Sequence, residues 1–267
     1  AMNLSAYLET AGILADAARD VVRASWQADA AKAFKDDGSP VTRTDIEVEE
    51  RLRGILAVRY PDHGILGEEY GHDRRPGAFT WVIDPIDGTR QFAARLMNFG
   101  VLIALCVDAA PVLGVIDQPL AGLRCVGAKG HGTNLNGKRV RSRQGATLDD
   151  AVISLANPRS FESAGRQVFD ALSQRGSMVV YDGGCIAYMA LASGAVDVCL
   201  NGADLDPYDI CALVPIVEEA GGHISTWDGK APTMETSGAI FASGSAPLHR
   251  ETNGIIRRAL TARPGAT

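Results

Sequence analysis

The sequence predicts a mixed fold, in which an α+β N-terminal half packs on an α/β C-terminal half. Between residues 1 and 148, two helical patterns come first and a run of strands with a hairpin follows them. From residue 149 to 267, strand patterns alternate with helical ones. A chain of 267 residues can bury a large core, either as one domain or as two closely packed halves.

The N-terminal half should begin with two helices. Alanine-rich sequence with apolar residues at helical spacing predicts a helix from residue 4 to about 33, and the segment 36–40 ends it. Thr44 and Glu47 have the spacing of a capping box, so we expect the second helix to start at Thr44. It should end before Pro61.

Four strands follow the helices. Apolar runs predict them at residues 80–84, 99–107, 112–116 and 123–128. The middle two lie on either side of a short turn and should form a hairpin. A Gly-x-Gly sequence at residues 130–132 precedes no helical pattern, so we interpret it as a turn and not as a nucleotide-binding loop.

The C-terminal half alternates between strands and helices. Strands are predicted at residues 151–155, 178–181, 195–200, 224–227 and 239–243. One helix is expected at residues 208–220, and a closing helix at about 247–261.

Composition is that of a globular protein, with 46% hydrophobic residues and 29 glycines. The net charge of −6 and the lack of a Lys/Arg cluster argue against nucleic acid as a partner. No stretch approaches the length of a membrane span, so we expect no membrane partner. The five cysteines are scattered through apolar segments, which favours free thiols in a reducing cytoplasm.

Acidic residues cluster between residues 67 and 89. Gly67-Glu68-Glu69 closes one segment, and an apolar strand runs into a turn that contains Asp84 and Asp87. Hard cations such as Mg²⁺ prefer carboxylate and carbonyl oxygens, often together with phosphate oxygens of a substrate. Asp84, Asp87 and the Ile86 carbonyl could supply such oxygens, so the segment suggests a metal-dependent enzyme acting on phosphates.

The residues after this turn suit an anion. Gly88 allows the backbone to approach a ligand closely, and Thr89 can open a helix whose free N–H groups attract a phosphate. The competing interpretation is an ordinary turn, since Asp-Pro and Asp-Gly are common turn formers.

Four motifs in order decide between these interpretations. They are Ser39–Asp45, Gly67-Glu68-Glu69, the segment 81–89, and Pro207-Tyr208-Asp209 followed by Ala220-Gly221-Gly222. Together they resemble the inositol monophosphatase family, which are lithium-sensitive, magnesium-dependent sugar phosphatases. The resemblance implies a five-layer α-β-α-β-α sandwich with the active site between the halves, and hydrolysis of a phosphate monoester by direct water attack.

Residue-by-residue matching to the family implies a set of metal ligands. They are Glu68, Asp84, the Ile86 carbonyl, Asp87 and Asp209. Two or three Mg²⁺ ions per site are expected. Thr89 and Asp45 match positions that orient or deprotonate the attacking water, and Glu68 would hold both metal and water. Taken alone, Asp45 and Asp209 could be early helix residues that complement the macrodipole. Lys35, near the first motif, fits a solvated lysine as well as a catalytic one.

Flanking residues favour the histidinol-phosphate phosphatases of this superfamily, which act in histidine biosynthesis. Residues 111–119 resemble their Gly-Val-Ile-Asp-Gln-Pro stretch, and Asp206–Asp209 their Pro-Tyr-Asp segment. Gly202 stands where animal-type inositol monophosphatases have a glutamate. One departure concerns Asp182-Gly183-Gly184, where the resembled enzymes read Gly-Gly-Asp. The carboxylate is either displaced, with Asp182 as the candidate, or absent.

The implied contacts with a small phosphorylated metabolite come from both halves. They are Asp87, Gly88, Thr89, Asp182, Gly183 and Asp209, with Asp204 and Asp206 as further acidic candidates. We expect a homodimer. Alternatives are an inositol 1-phosphate phosphatase, a broad sugar or nucleotide phosphatase, and a regulatory binding protein that keeps the fold without turnover.

Overall fold

The computed structural model describes residues 3–28, 32–34 and 40–261. Its first part contains α1 (Ser5–Ala28), β1 (Lys32–Phe34), β2 (Pro40–Thr42), α2 (Arg43–Arg59), β3 (Gly64–Gly67), β4 (Gly71–Asp73), β5 (Phe79–Asp87), α3 (Thr89–Ala93), β6 (Gly100–Val107), β7 (Ala110–Gln118), β8 (Leu123–Ala128), β9 (Gly132–Leu135) and β10 (Lys138–Arg139). The second part contains β11 (Val152–Leu155), α4 (Ala164–Ser173), β12 (Met178–Tyr181), α5 (Gly184–Ala192), β13 (Val198–Leu200), α6 (Pro207–Ile210), α7 (Leu213–Glu219), β14 (His223–Thr226), β15 (Ile240–Ser243) and α8 (Ala246–Thr261).

Two mixed sheets form the frame. The eight-stranded sheet has the order β10-β9-β8-β7-β6-β5-β3-β4 and is antiparallel except for the β3–β5 pair. The five-stranded sheet has the order β12-β11-β13-β15-β14, with β11 parallel to both neighbours and β15 antiparallel to both of its own. The predicted mixed fold is therefore confirmed. The division of the chain at residue 148 remains a prediction.

Three apolar cores separate five layers. The first lies between α1 and α2 and the large sheet, and includes Leu14 and Trp81. The second holds α5 and α7 between the two sheets, with Val82 and Ile216 among its residues. The third lies between the small sheet and α4 and α8, and includes Phe169. Trp81 and Val82 point to opposite faces of β5, as the period of a strand requires.

Three helix predictions need correction. The first helix ends at Ala28, and Lys32–Phe34 is a strand paired with β2. The second helix is capped by Thr42, whose partner three residues on is Asp45, so the pair Thr44 and Glu47 was wrong. The third, predicted at residues 208–220, is divided into α6 and α7.

The break in that third helix has a local cause. Pro215 lacks an N–H group, and its ring would clash with the carbonyl four residues earlier in a continuous helix. Of the N-terminal predictions, Lys35 and residues 36–39 lie outside the described residues. Among the helices that the structure describes, none is long and apolar enough to cross a membrane.

Candidate active site

Three carboxylates from two distant parts of the chain lie close together. Asp84 and Asp87 lie at the end of β5, and Asp209 lies in the first turn of α6. One oxygen of each lies within 4.8 Å of the others, and the group could hold a metal ion. Asp84 is buried, and the other two are partly buried.

A β-bulge explains how Asp84 and Asp87 reach the same side of the sheet. Residues three apart on a regular strand face opposite sides. Asp84 pairs with Leu102 and Asp87 with Gly100, so β5 takes three steps where β6 takes two. The extra residue in β5 turns both carboxylates toward the same cleft.

Backbone N–H groups orient each carboxylate of the cluster. The Ile86 amide donates to Asp84 Oδ1 at 3.0 Å, and the Cys185 amide to Asp87 Oδ2 at 2.9 Å. The Asp206 amide donates to Asp209 Oδ2 at 2.7 Å. The donors come from three different segments. The Cys185 and Asp206 amides belong to the C-terminal part of the chain, so that part helps to position the carboxylates of the site.

Burial and the repulsion between like charges raise the pKa values of the three carboxylates. Burial raises the pKa of Asp84 well above its usual range, and the charges of Glu68, Asp209 and Asp87 raise it further. The pKa of Asp209 is also raised well above normal, first by burial and then by Asp87. Burial raises the pKa of Asp87, although its bonds with Cys185 oppose the shift. A bound cation would relieve this repulsion.

The cluster opens into a cleft of about 240 Å³ between the two sheets. Glu68 lies on its wall, where its charge acts on Asp84 and Asp209 but its oxygens fall outside the tight group of three. The remaining lining residues come from both halves of the chain: Asp87, Gly88, Thr89, Arg90, Gln91, Asn98, Ala156, Asn157, Ser160, Asp182, Gly184, Asn201, Asp204, Leu205 and Asp209.

Asp45 and Thr89 form a hydrogen-bonded pair beside the cluster. Asp45 is fully buried near the start of α2, where its Oδ2 accepts the Thr42 amide at 2.8 Å and the Thr42 hydroxyl at 2.5 Å. The Thr89 hydroxyl lies 3.2 Å from Asp45 Oδ1 and 3.0 Å from the Ile86 carbonyl oxygen. Burial raises the pKa of Asp45, and the bonds from Thr42 oppose that shift.

Asp182 also lines the cleft, and its charge acts on Asp87. Gln91 Nε2 donates to its carboxylate at 2.9 Å, and Asn98 Nδ2 donates to its backbone carbonyl at 2.8 Å. Its φ of 57° is in the left-handed region, which Asp tolerates better than most residues. Gly183 is set back from the cleft against Ser154, and Gly184 lines the wall instead. Substrate contact by Gly183 stays a prediction.

The remaining acidic candidates differ in position. Asp204 lines the cleft and accepts the Ser160 hydroxyl at 2.7 Å. Asp206 caps α6, and its carboxylate accepts the hydroxyls of Tyr208 and Ser237 at 3.0 and 3.2 Å. Asp206 is thus occupied with local structure.

The segment 111–119, which suggested the substrate, lies away from the cleft lining. Its Asp117 is fully buried and pairs with Arg19 and Arg124, each at 2.6 Å. Gln118 Nε2 donates to the Met97 carbonyl at 2.9 Å. This motif holds α1 against the large sheet, and its bearing on substrate choice is indirect.

Sequence reasoning missed several residues of the site, among them Gln91, Asn98 and Glu49. Gln91 and Asn98 hold Asp182, and both follow the Asp-Gly-Thr turn closely enough to have been suspected. Glu49 is a buried carboxylate that accepts the amides of Glu69 and Tyr70. Its place four residues after Asp45, on the same helical face, was a usable signal.

Comparisons with known proteins agree with this geometry. The sequence model described as "Inositol monophosphatase family" matches residues 3–261. The chloroplastic bifunctional phosphatase IMPL2 of Arabidopsis thaliana is 35% identical over 257 residues, covering 93% of this chain and 74% of that protein. A histidinol-phosphatase of Streptomyces coelicolor is 32% identical over 262 residues, covering 94% of this chain and 97% of that protein.

A solved structure gives the same result for the fold. An inositol monophosphatase from Zymomonas mobilis superposes with a TM-score of 0.87 at 35% identity. The superposition covers 96% of this chain and 100% of that one. Relatives that are 32% to 35% identical to this chain thus carry different names, among them histidinol-phosphatase and inositol monophosphatase.

Proposed function

This chain belongs to the inositol monophosphatase family and is a phosphatase, and from that premise we propose that it is a Mg²⁺-dependent histidinol-phosphate phosphatase. The observation that carries the proposal is the convergence of Asp84, Asp87 and Asp209 at a cleft that Asp182 and Asp204 also line. The first part supports metal-dependent hydrolysis, and the second supports a cationic leaving group.

The residues present fit a divalent cation. Oxygen donors of this kind suit Mg²⁺, and the raised pKa values of Asp84 and Asp209 mark negative charge that a cation would neutralise. Enzymes of this family use divalent metals. We assign the holding of the metals to Glu68, Asp84, the Ile86 carbonyl, Asp87 and Asp209. When bound, the metals polarise the phosphoryl group, lower the pKa of a water and stabilise the leaving oxygen.

The Asp45–Thr89 pair supplies the group that handles the water. Thr89 Oγ1 can donate its proton to Asp45 Oδ1 and accept a hydrogen bond from a water in the cleft. Asp45 is itself fixed by Thr42, so one of the two acceptors within reach of the Thr89 hydroxyl is held in place. A water placed there loses its proton toward Asp45 as it attacks phosphorus, and no covalent phosphoenzyme is needed.

The phosphate would lie at the Gly88–Thr89 turn. Both residues line the cleft next to Asp87, and Gly88 has a φ of 90°, which gives the turn its tight shape. We keep the prediction that the two amides contact phosphate oxygens. The leaving group would then lie in the same cleft as Asp182 and Asp204.

Two further carboxylates in the cleft suit the ammonium of histidinol phosphate. Asp182 and Asp204 both line the cleft and do not belong to the group of Asp84, Asp87 and Asp209. Their hydrogen bonds to Gln91 and Ser160 use part of each carboxylate and hold it in place. A site with fixed polar groups discriminates strongly between substrates that can and cannot pair with them.

Steric crowding around Gly202 argues against a glutamate at this position as a contact for inositol. A Cβ at Gly202 would overlap the carbonyl of Ser160, whose carbonyl oxygen also accepts the Ala203 amide at 3.3 Å. The segment around Ser160 would have to shift before any side chain could be accommodated there. The chain is therefore built without the carboxylate that inositol recognition would use.

The second candidate substrate is inositol 1-phosphate. It is favoured by the superposition on the inositol monophosphatase from Zymomonas mobilis. We also retain two finer proposals, a homodimer and a cytoplasmic location. The five cysteines are buried and unpaired, which suits a reducing compartment.

A phosphate-release assay with Mg²⁺ tests the proposal. Histidinol phosphate, inositol 1-phosphate, fructose 1,6-bisphosphate and adenosine 3′,5′-bisphosphate should be compared by kcat/KM. We expect histidinol phosphate to be hydrolysed best, and Asp182→Asn to raise its KM while barely affecting an uncharged sugar phosphate. Asp73→Asn, on β4 and outside the cleft lining, is the matched control. A tenfold preference for inositol 1-phosphate would overturn the substrate assignment alone.

A further inference from the structure

We infer that Glu49 is a positioning residue, which holds Glu68 in place and thereby sets the affinity of the acidic cluster for divalent cations. The inference rests on the proposed metal site. Glu49 belongs to α2 and has no place in the cleft lining, so it would act through the backbone of its neighbours.

The hydrogen bonds of Glu49 converge on the segment that follows Glu68. Its side chain is fully buried, and its Oε2 accepts the Glu69 amide at 2.7 Å. Its Oε1 accepts the Tyr70 amide at 3.1 Å. Charge-assisted bonds from two successive amides fix the direction of the chain immediately after Glu68. The position of the Glu68 carboxylate on the cleft wall follows from that direction.

Gly67 provides the close approach on the other side of Glu68. A Cβ at Gly67 would overlap the Glu49 carboxylate. The carboxylate therefore occupies the space that a side chain would fill, and it contacts the residues on both sides of Glu68. The Gly-Glu-Glu motif begins with glycine because Glu49, on α2 and 18 positions earlier in the chain, fills the space of a side chain there.

Arg53 completes the arrangement on the next turn of α2. Its Nε donates to Glu49 Oε1 at 2.8 Å, and its Nη2 donates to the Gly71 carbonyl at 2.5 Å. The guanidinium compensates the charge of the buried Glu49 carboxylate. Asp45 lies one turn earlier on the same helix, where it accepts the Thr89 hydroxyl. One helix thus aligns the water-handling pair with the Glu68 segment.

A purely structural role would give a different result from a positioning role. Loss of a structural carboxylate lowers stability and leaves the metal affinity of the folded molecules unchanged. Loss of a positioning carboxylate weakens metal binding in molecules that remain folded. Partners that orient metal ligands typically contribute 10- to 100-fold to metal affinity.

The test is direct binding of Mn²⁺ to the full-length protein, measured by electron paramagnetic resonance without substrate. We expect Glu49→Gln to weaken Mn²⁺ binding about 10- to 100-fold, because its amide cannot accept both backbone N–H groups as the carboxylate does. Glu49→Asp keeps the charge but shortens the side chain, and it should weaken binding as well. Glu50→Gln is the control, since it removes one charge from the next residue, whose carboxylate binds the exposed Tyr70 hydroxyl.

Circular dichroism establishes which variants are folded, and Glu49→Asp decides the question if Glu49→Gln is not. Wild-type affinity in folded Glu49→Asp, or an equal loss in Glu50→Gln, would overturn the inference and leave the proposed metal site intact. Failure of the wild-type protein itself to bind Mn²⁺ would instead overturn the metal site, and the inference with it.

Discussion

Two groups of buried carboxylates in this molecule are built in opposite ways. Asp117 is fully buried on β7 and is paired by two arginines, Arg19 and Arg124. Asp84 is equally buried on β5, but the neighbouring charges that raise its pKa are those of other carboxylates. The charge of Asp117 is compensated by arginines of the same chain. The charges around Asp84 are of the same sign, and a bound cation would compensate them.

The difference separates a structural carboxylate from a functional one. A buried charge that pairs with arginines contributes to folding and leaves nothing for a ligand to bind. Carboxylates that repel one another destabilise the protein until a ligand offsets the repulsion. Burial alone does not reveal function, whereas the sign of the neighbouring charges does.

The largest expected effect is on activity. Asp87→Asn should reduce phosphate release by about 10³-fold or more, because it removes one charge from the metal cluster and weakens transition-state stabilisation. The protein should stay folded. Steady-state kinetics at saturating Mg²⁺, with circular dichroism on the same samples, measures both.

Asp117→Asn is the matched comparison for that variant. It removes the same charge from a carboxylate that is also buried, but one that holds α1 to the sheet. Its activity per folded molecule should remain near wild type. A comparable loss of activity in both variants would show that the two groups do not differ as argued.

A smaller effect is expected at the water-handling pair. Thr89→Ala should lower kcat by about 10²- to 10³-fold, the usual scale for positioned proton-transfer groups. Thr89→Ser keeps the hydroxyl and should retain most of the activity. Mg²⁺ affinity should change little in either variant. An unchanged kcat in Thr89→Ala would reduce Thr89 to the first residue of a helix.

Stability should change in opposite directions at the two groups. Asp117→Asn leaves two arginines without their shared partner, and breaking such a pair costs about 3–5 kcal/mol. Asp84→Asn removes a repelled charge, so in EDTA it should raise the unfolding temperature. Urea and thermal unfolding of both variants in EDTA provide the measurement. Destabilisation by Asp84→Asn as large as that by Asp117→Asn would refute the contrast.

The smallest effect is a pH dependence of the metal-free protein. The pKa values of Asp84, Asp87 and Asp209 are raised in the folded state. Their contribution to stability is then fully present below the unfolded pKa near 4 and is lost as pH rises through the folded values. In EDTA, unfolding temperatures should fall along that range, and the fall should be shallower in Asp84→Asn. An identical profile in both proteins would contradict the assignment.

The site was more predictable from the sequence than the element boundaries. The segment 81–89 carries local information, because strand, bulge and turn lie within one short stretch. The cap of α2 was misassigned to Thr44, although Thr42 and Asp45 have an equivalent spacing. Both patterns satisfy the same local rule, and the contact of Asp45 with Thr89, 44 residues away, favours one.

Residues that act through long-range contacts could not be found in this way. Asp117 looked like part of a substrate motif, and only its contact with Arg19, 98 residues away, shows its structural role. Glu49 has the helical spacing to share a face with Asp45, but only the fold shows that it lies against Gly67. In both cases the sequence contains the residue but does not show the distant segment that it contacts.

The most direct test of the central claim is a Mg²⁺ titration of the metal-stripped protein. Binding should be followed by calorimetry and phosphate release by assay on the same samples. We predict that the EDTA-treated enzyme is inactive, that Mg²⁺ binding and activity rise together, and that Asp84→Asn weakens both. Full phosphate release in EDTA, or unchanged Mg²⁺ binding in Asp84→Asn, would contradict the claim that this carboxylate cluster is the metal centre of a phosphatase.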